Sequence, residues 1–247
     1  MERNHFNHVQ QYSTSFNPST PQLLNIISSR LIYLCPMTNF IPIFPLGIVV
    51  YPGEALNLHI FEPRYKQLIQ DSVQSKKPFG IPAVINDSIC EMGCLVQVLE
   101  ISKLYEDGRM DIRTEGIKIF RILETIKELP EKLYSGAIVN YPHNQEKGKR
   151  LLMQTLITGI RQLHASMQVS KDFKKPDEEL WSYELAHHMG LSLTEEYELL
   201  ELLHELQRQE YLKRHLSKVL PVMAGMQSLK EKIQLNGHFK NLSGFSG

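Results

Sequence analysis

Prolines at positions 42, 45, 52 and 63 cut the run from Phe40 to Lys66, FIPIFPLGIVVYPGEALNLHIFEPRYK, into pieces that few folds accommodate. Proline breaks a helix interior and removes a hydrogen bond from a sheet. The first half is almost wholly apolar and rich in Ile and Val, yet too short to span a bilayer. It predicts a buried strand with an irregular start, a turn at Pro52-Gly53, and a second strand through Leu56, Leu58 and Ile60. Alternation from Ala55 to Ile60 places those three apolar residues on one face. At Phe61-Glu62-Pro63-Arg64-Tyr65 the period changes. Pro63 fits the first turn of a helix and Glu62 its positive end, and Leu68, Ile69 and Val73 continue at core spacing. Phe61 and Tyr65 are expected to pack inward, with Glu62 and Arg64 pairing with neighbouring chain.

Lys76-Lys77-Pro78 ends that helix, and Phe79 to Asn86 reads as a short strand turning at Asn86-Asp87-Ser88. The next strand, Gly93 to Tyr105, begins apolar on both sides and is expected to start buried on both faces. Glu106-Asp107-Gly108-Arg109 is a hairpin turn in which Gly108 supplies a positive φ. Met110, Ile112 and Thr114 then face away from Asp111, Arg113 and Glu115, and Gly116 predicts a bulge or corner. Ile117, Ile119 and Arg121 alternate with Lys118, Phe120 and Ile122, and Leu133 to Tyr141 completes the strands.

After a polar joint at His143 to Arg150 the period becomes helical. Leu152, Leu156, Ile160, Leu163 and Met167 mark a first face; Leu180, Trp181, Leu185 and Met189 mark a second helix, stopped at Gly190. Ser192 or Thr194 caps a third, with Leu199, Leu202, Leu203 and Leu206 as its core face. A last helix carries Leu212, Leu216, Val219, Leu220 and Met223, with a kink expected at Pro221 and an end at Asn236-Gly237. The sum is an α+β chain: short strands, one early helix and Gly corners, then a helical bundle. Such strands favour a closed or nearly closed barrel, although periodicity alone leaves a sandwich open.

These motifs, taken together, resemble the N-terminal domain of the Lon protease family. The resemblance rests on the Pro45-Leu46 strand, on VVYPG with Pro52 and Gly53, and on LHIFEPRY with Phe61, Glu62, Pro63, Arg64 and Tyr65. The hairpin at Gly108-Arg109 and the stretch Thr114 to Ile122, with Gly116, extend it. It runs from about Met37 to the C-terminus and is strongest over Phe40 to Leu123. It implies a PUA-like mixed β pseudo-barrel over residues 37–142, a helical subdomain over 143–247, and a role in engaging substrate polypeptides. The signature residues themselves are expected to be structural. Residues 1–36, rich in Asn, Gln, Ser and His, have no counterpart and are expected to form a disordered extension, with Met37 a candidate start.

Chemistry is sparse. Basic and acidic residues number 27 each, which argues against a general nucleic-acid binder. Three cysteines make no closed disulfide set and fit a reducing cytoplasm; Cys90 and Cys94 lack the further ligands that zinc needs. No apolar stretch reaches membrane-spanning length. Gly148-Lys149-Arg150 is the nearest approach to a P-loop and lacks its first Gly and its hydroxyl. His204-Glu205 begins a helical zinc motif, but Arg208 stands where the second His belongs, and His187-His188 reads as surface or interface. Asp111 and Glu115 on one strand face read as solvated.

No cofactor, metal, nucleic acid or membrane is therefore expected, and no catalysis. The expected role is a binding module for unfolded or partner polypeptides, serving as a proteolysis adaptor. The alternatives are a scaffold for one folded partner, an ATP-independent peptidase, and, by PUA-like analogy alone, an RNA binder. Holding unfolded chains requires adaptable exposed apolar groups. Tyr51, Met92, Leu104, Tyr105 and Met110, near turns and strand ends, are the candidate contact residues, with the Leu/Met face of the last helix as a second candidate.

Overall fold

The computed structural model describes residues 39–240, apart from the side chains of 227, 230, 231 and 233–240. The expected extension over 1–36 and the tail after residue 240 lie outside the described residues. Six strands come first: β1 (Asn39–Pro42), β2 (Ala55–Ile60), β3 (Phe79–Ile85), β4 (Ser88–Leu104), β5 (Met110–Ile126) and β6 (Gly136–Asn140). Helix α1 (Pro63–Ser75) sits between β2 and β3; α2 (Arg150–Met167), a single 3₁₀ turn (Asp177–Glu179), α3 (Ser182–Ala186), α4 (Leu193–Glu201) and α5 (Glu205–Lys240) follow the strands.

The segment just beyond the first strand closes the sheet. β1 pairs antiparallel with β6, and the sheet continues in the order β1-β6-β5-β4-β3. Beyond Pro42 the chain swings across to β3, where Ile43 bridges Gly80 and Leu46 bridges Ala83 in parallel. The Phe44 N–H donates to Gly80 O at 2.8 Å, and the Val84 N–H donates to Leu46 O at 2.8 Å. The ring is thereby joined end to end, which decides for the barrel over the sandwich. Pro45 lies between the two bonded residues, where its missing N–H interrupts nothing.

The turn at Tyr51–Glu54 uses Gly53 at φ 79°. It seats against β5, where the Gly53 N–H donates to Gly116 O at 2.8 Å and the Gly116 N–H donates to Glu54 O at 2.9 Å. A Cβ on Gly116 would overlap the Tyr51 carbonyl oxygen. Val96 pairs with Gly116 and Leu95 with Lys118, so Ile117 is the extra residue of the expected bulge. Met92 through Val96 are all buried, as a strand covered on both faces must be. After the bulge the simple alternation fails, because Ile119 and Phe120 are both buried, in different apolar clusters.

β2 stands outside the ring and, among the described residues, pairs only with β5, from Ala55↔Glu115 to Ile60↔Met110. β3 accompanies β4 only between Val96 and Ser88. Among the described residues, β4 from Gln97 to Leu104 therefore has β5 on one side and no strand on the other.

The helices follow the predicted periods with local differences. The Ser192 hydroxyl accepts from the Glu195 N–H at 3.3 Å, and the Glu195 carboxylate returns the bond, completing a capping box. The third helix ends at Glu201 rather than continuing through Leu206. The Gln145 N–H donates to Leu203 O at 2.7 Å, and the Glu205 N–H donates to Gln145 O at 2.8 Å, taking those groups out of the helix. Leu206 accordingly lies exposed on α5. Trp181 precedes its helix and is also exposed, as is Met167. α5 passes through Pro221 and continues beyond Asn236-Gly237 to Lys240. Among the described residues no helix is long and apolar enough to cross a membrane.

Candidate functional site

The three strands β2, β5 and β4 form a flange beyond the closed ring, and cross-strand partners share a face. Three rows make its inner face: Leu56, Thr114, Val98; Leu58, Ile112, Ile101; and Ile60, Met110, Leu104. Ile112 and Met110 pack in one cluster with Tyr65, Leu68 and Ile69 of α1. Along the last two rows, cover is lost from β5 to β4. Met110 and Ile112 are 1% exposed, whereas Ile101 is 39% and Leu104 67% exposed. The register skips Leu99 and Ser102, so β4 bulges twice here, and Leu99 is 52% exposed. The apolar inner face thus runs out uncovered at the free edge of β4.

The opposite face carries the rows His59, Asp111, Lys103 and Asn57, Arg113, Glu100. His59 Nδ1 meets Asp111 Oδ1 at 2.5 Å, and the Tyr105 hydroxyl donates to Asp111 Oδ2 at 2.9 Å. Those two bonds, the histidine's first, hold the Asp111 carboxyl below the usual carboxylate range. The Tyr105 ring stands edge-on to His59 at 5.7 Å, with the Lys103 ammonium 4.4 Å and the Arg109 guanidinium 5.2 Å from its centre. Phe61 stacks beside His59 at 6.2 Å and is 60% exposed. Its placement corrects the expectation that both rings of the signature pack inward. Tyr65 does so, stacked on Phe44 at 3.8 Å. Glu62 and Arg64 pair with each other at 2.8 Å rather than with neighbouring chain. Arg113–Glu100 at 2.9 Å and Arg109–Asp107 at 2.6 Å are satisfied within the flange. The end of the flange therefore shows Ile101 and Leu104 on its inner side and an aromatic group, Tyr105 and Phe61 about His59, on its outer side.

Of the five candidate contact residues, Leu104 and Tyr105 lie at this end of the flange, Leu104 on its inner side and Tyr105 with His59 and Asp111 on its outer side. Tyr51, Met92 and Met110 do not reach the surface, with exposures of 1%, 0% and 1%. Met110 lies under the flange, while Tyr51 and Met92 lie where the barrel meets the helices. The Tyr51 hydroxyl donates to Glu196 O at 2.9 Å and its ring stacks on Tyr183 at 4.8 Å. The Met92 N–H donates to the Tyr197 hydroxyl at 3.0 Å. Sequence reasoning missed Leu99, Ile101 and Phe61. The apolar residues at 99, 101 and 104 were visible, but their exposure depends on where β3 stops.

Other polar groups lie among the helices, where the buried Tyr183 hydroxyl and His188 Nδ1 have no hydrogen-bond partner among the described residues. His187 lies between Glu196 at 2.7 Å and Glu54 at 3.2 Å, and their hydrogen bonds, Glu196's first, raise it to about 9. Burial pushes the neighbouring His188 down to about 4. Arg208, the residue that interrupts the zinc-like motif, is buried. Its guanidinium donates to Glu205 at 2.9 Å, Ser182 at 2.9 Å, Asn144 at 2.7 Å and Leu202 O at 2.7 Å. Among the described residues no group of three or more His, Cys, Asp or Glu is placed to hold a metal ion. An open groove of about 610 Å³ runs between α2 and α5, lined in part by Leu151, Gly159, Leu216 and Leu220.

Residues 41–218 match the family model described as the ATP-dependent protease La (LON) substrate-binding domain. The chain belongs to this family. The matched span takes in the barrel, the flange and the helices as far as Lys218 in α5. Many solved structures share the fold, two of them as follows. One is the Lon N-terminal domain protein from Xanthomonas campestris, with a TM-score of 0.54 and 21% identity over 71% of this chain and 98% of that one. The other is the N-terminal domain of a Mycobacterium avium complex Lon protease, with a TM-score of 0.52 and 14% identity over 72% of this chain and 98% of that one.

Proposed function

We propose that this member of the Lon substrate-binding family is a non-catalytic module that holds apolar stretches of other polypeptides, unfolded clients above all, at the uncovered end of the flange, and acts as an adaptor in proteolysis. The observation that carries the reading is the inner face of the sheet left open at Ile101 and Leu104, with Leu99 alongside. Exposed apolar groups on a charge-balanced surface are costly to keep in water unless something covers them. Completing the burial of two or three such side chains is worth on the order of 3 kcal/mol. That alone gives only weak capture, so a client must also use main-chain bonds or further contacts. Weak capture suits a module that must release what it holds.

The test is binding of reduced, carboxymethylated α-lactalbumin, without nucleotide, followed by fluorescence anisotropy. Binding at micromolar concentration is expected. The double variant Ile101→Ser/Leu104→Ser should weaken it by roughly thirtyfold or more, with only a small fall in the melting temperature, because Leu104 is 67% and Ile101 39% exposed. Absence of binding by the parent protein overturns the reading, and recovery of one stoichiometric folded partner instead would favour the scaffold. Cleavage of casein without ATP would overturn its non-catalytic part.

A further inference from the structure

We infer that the bound polypeptide adds as an extended strand to the free edge of β4 over Gln97–Leu104. The inference rests on the polypeptide-binding reading above and specifies its geometry. An edge strand presents a row of main-chain N–H and C=O groups that only another extended chain can satisfy in series. Among the described residues β4 has such an edge, because β3 pairs with it no further than Val96, while β4 itself runs on to Leu104 against β5.

The side chains choose this edge over the other. Among the described residues β2 also has a free outer edge, but there the inner residues Leu56 and Leu58 are half-covered, Ile60 is buried, and the outward residues are Asn57 and His59. A strand added at β2 would find little apolar surface to cover. A strand added at β4 would place its inward residues beside Ile101 and Leu104, extending the row of Leu58 and Ile112 and the row of Ile60 and Met110. Its outward residues would lie beside Glu100 and Lys103. The chemistry of the occupant follows: an extended segment that alternates apolar with polar or charged residues.

A second copy of this chain fits less well. Eight residues make an edge about 26 Å long, and a sheet is about 10 Å thick. That offers on the order of 300 Å² per partner, well below the roughly 800 Å² that a stable folded pair buries on each side. The bulges at Leu99 and Ser102 also twist the edge, so two rigid copies would lose register where a flexible segment can follow.

The probe is an eight-residue peptide of alternating valine and threonine with a lysine added at each end. It is compared with two versions that are N-methylated at one or the other set of alternate residues. In a strand pair, successive amides of the added chain point alternately toward and away from the edge. Methylation of one set only is expected to lower affinity tenfold or more. Hydrogen exchange of amides in Gln97–Leu104 should slow on binding, with that of Ala55–Ile60 unchanged. Equal tolerance of both methylated sets, or unchanged exchange at Gln97–Leu104 with peptide bound, overturns strand addition and leaves polypeptide binding standing. So does failure of the peptide to bind when unfolded α-lactalbumin binds. Failure of both probes overturns the strand and the function together.

Discussion

Adjacent histidines in the helical part carry opposite electrostatic histories. His187, held by Glu196 and Glu54, is raised from 6.5 to about 9, so its contribution to stability is complete below pH 6.5 and is lost as pH rises through 9. His188 is depressed from 6.5 to about 4, and its contribution is complete above pH 6.5 and is lost as pH falls through 4. Together the pair favours a stability maximum near pH 6.5. With its side chain 35% exposed, His187 is partly screened, and about 1 kcal/mol is a fair share for its ion pairs. His187→Gln should lower the melting temperature by about 2–4 °C at pH 7, with the gap from the parent closing toward pH 10. A circular-dichroism melt series from pH 5 to 10 checks this. Parallel curves for parent and variant would mean that the histidine's charge does not matter. None of this pairing was legible in His187-His188 as a dipeptide, because Glu54 belongs to a turn in the barrel.

At the scale of elements, local chemistry was a dependable guide wherever the cause was itself local. Gly108 at φ 76° closes the hairpin, Ser192 caps α4, and Gly116 marks the bulge. Gly116→Ala is expected to cost about 1–3 kcal/mol in urea denaturation, since the new methyl group must displace the Tyr51 carbonyl and with it the turn at Gly53. A neutral result would mean that the turn does not press on β5. The break between α4 and α5 is the contrasting case. Leucines at 199, 202, 203 and 206 keep helical spacing straight through it. Gln145, distant in sequence, captures main-chain groups of Leu203 and Glu205 and ends the helix there.

For the molecule as a whole, one apolar cluster unites Val49, Tyr51, Ala83, Met92 and Ile119 of the barrel with Leu156, Ile160, Leu185 and Leu199 of the helices. A shared core makes separate melting of barrel and helices costly. Thermal unfolding followed by far-ultraviolet circular dichroism and by fluorescence of Trp181, the one tryptophan, should give coincident transitions. Two resolved steps would show that the joint around Tyr51 is weaker than its burial implies. The sequence by itself determined the order of strands then helices, the turns, the helix starts and the family resemblance, because each depends on residues a few positions apart. Only the tertiary structure decided that Tyr51, Met92 and Met110 are covered while Leu99, Ile101 and Leu104 are not. Exposure belongs to a residue's neighbours, and here it follows from β3 ending beside Val96 while β4 continues alone to Leu104.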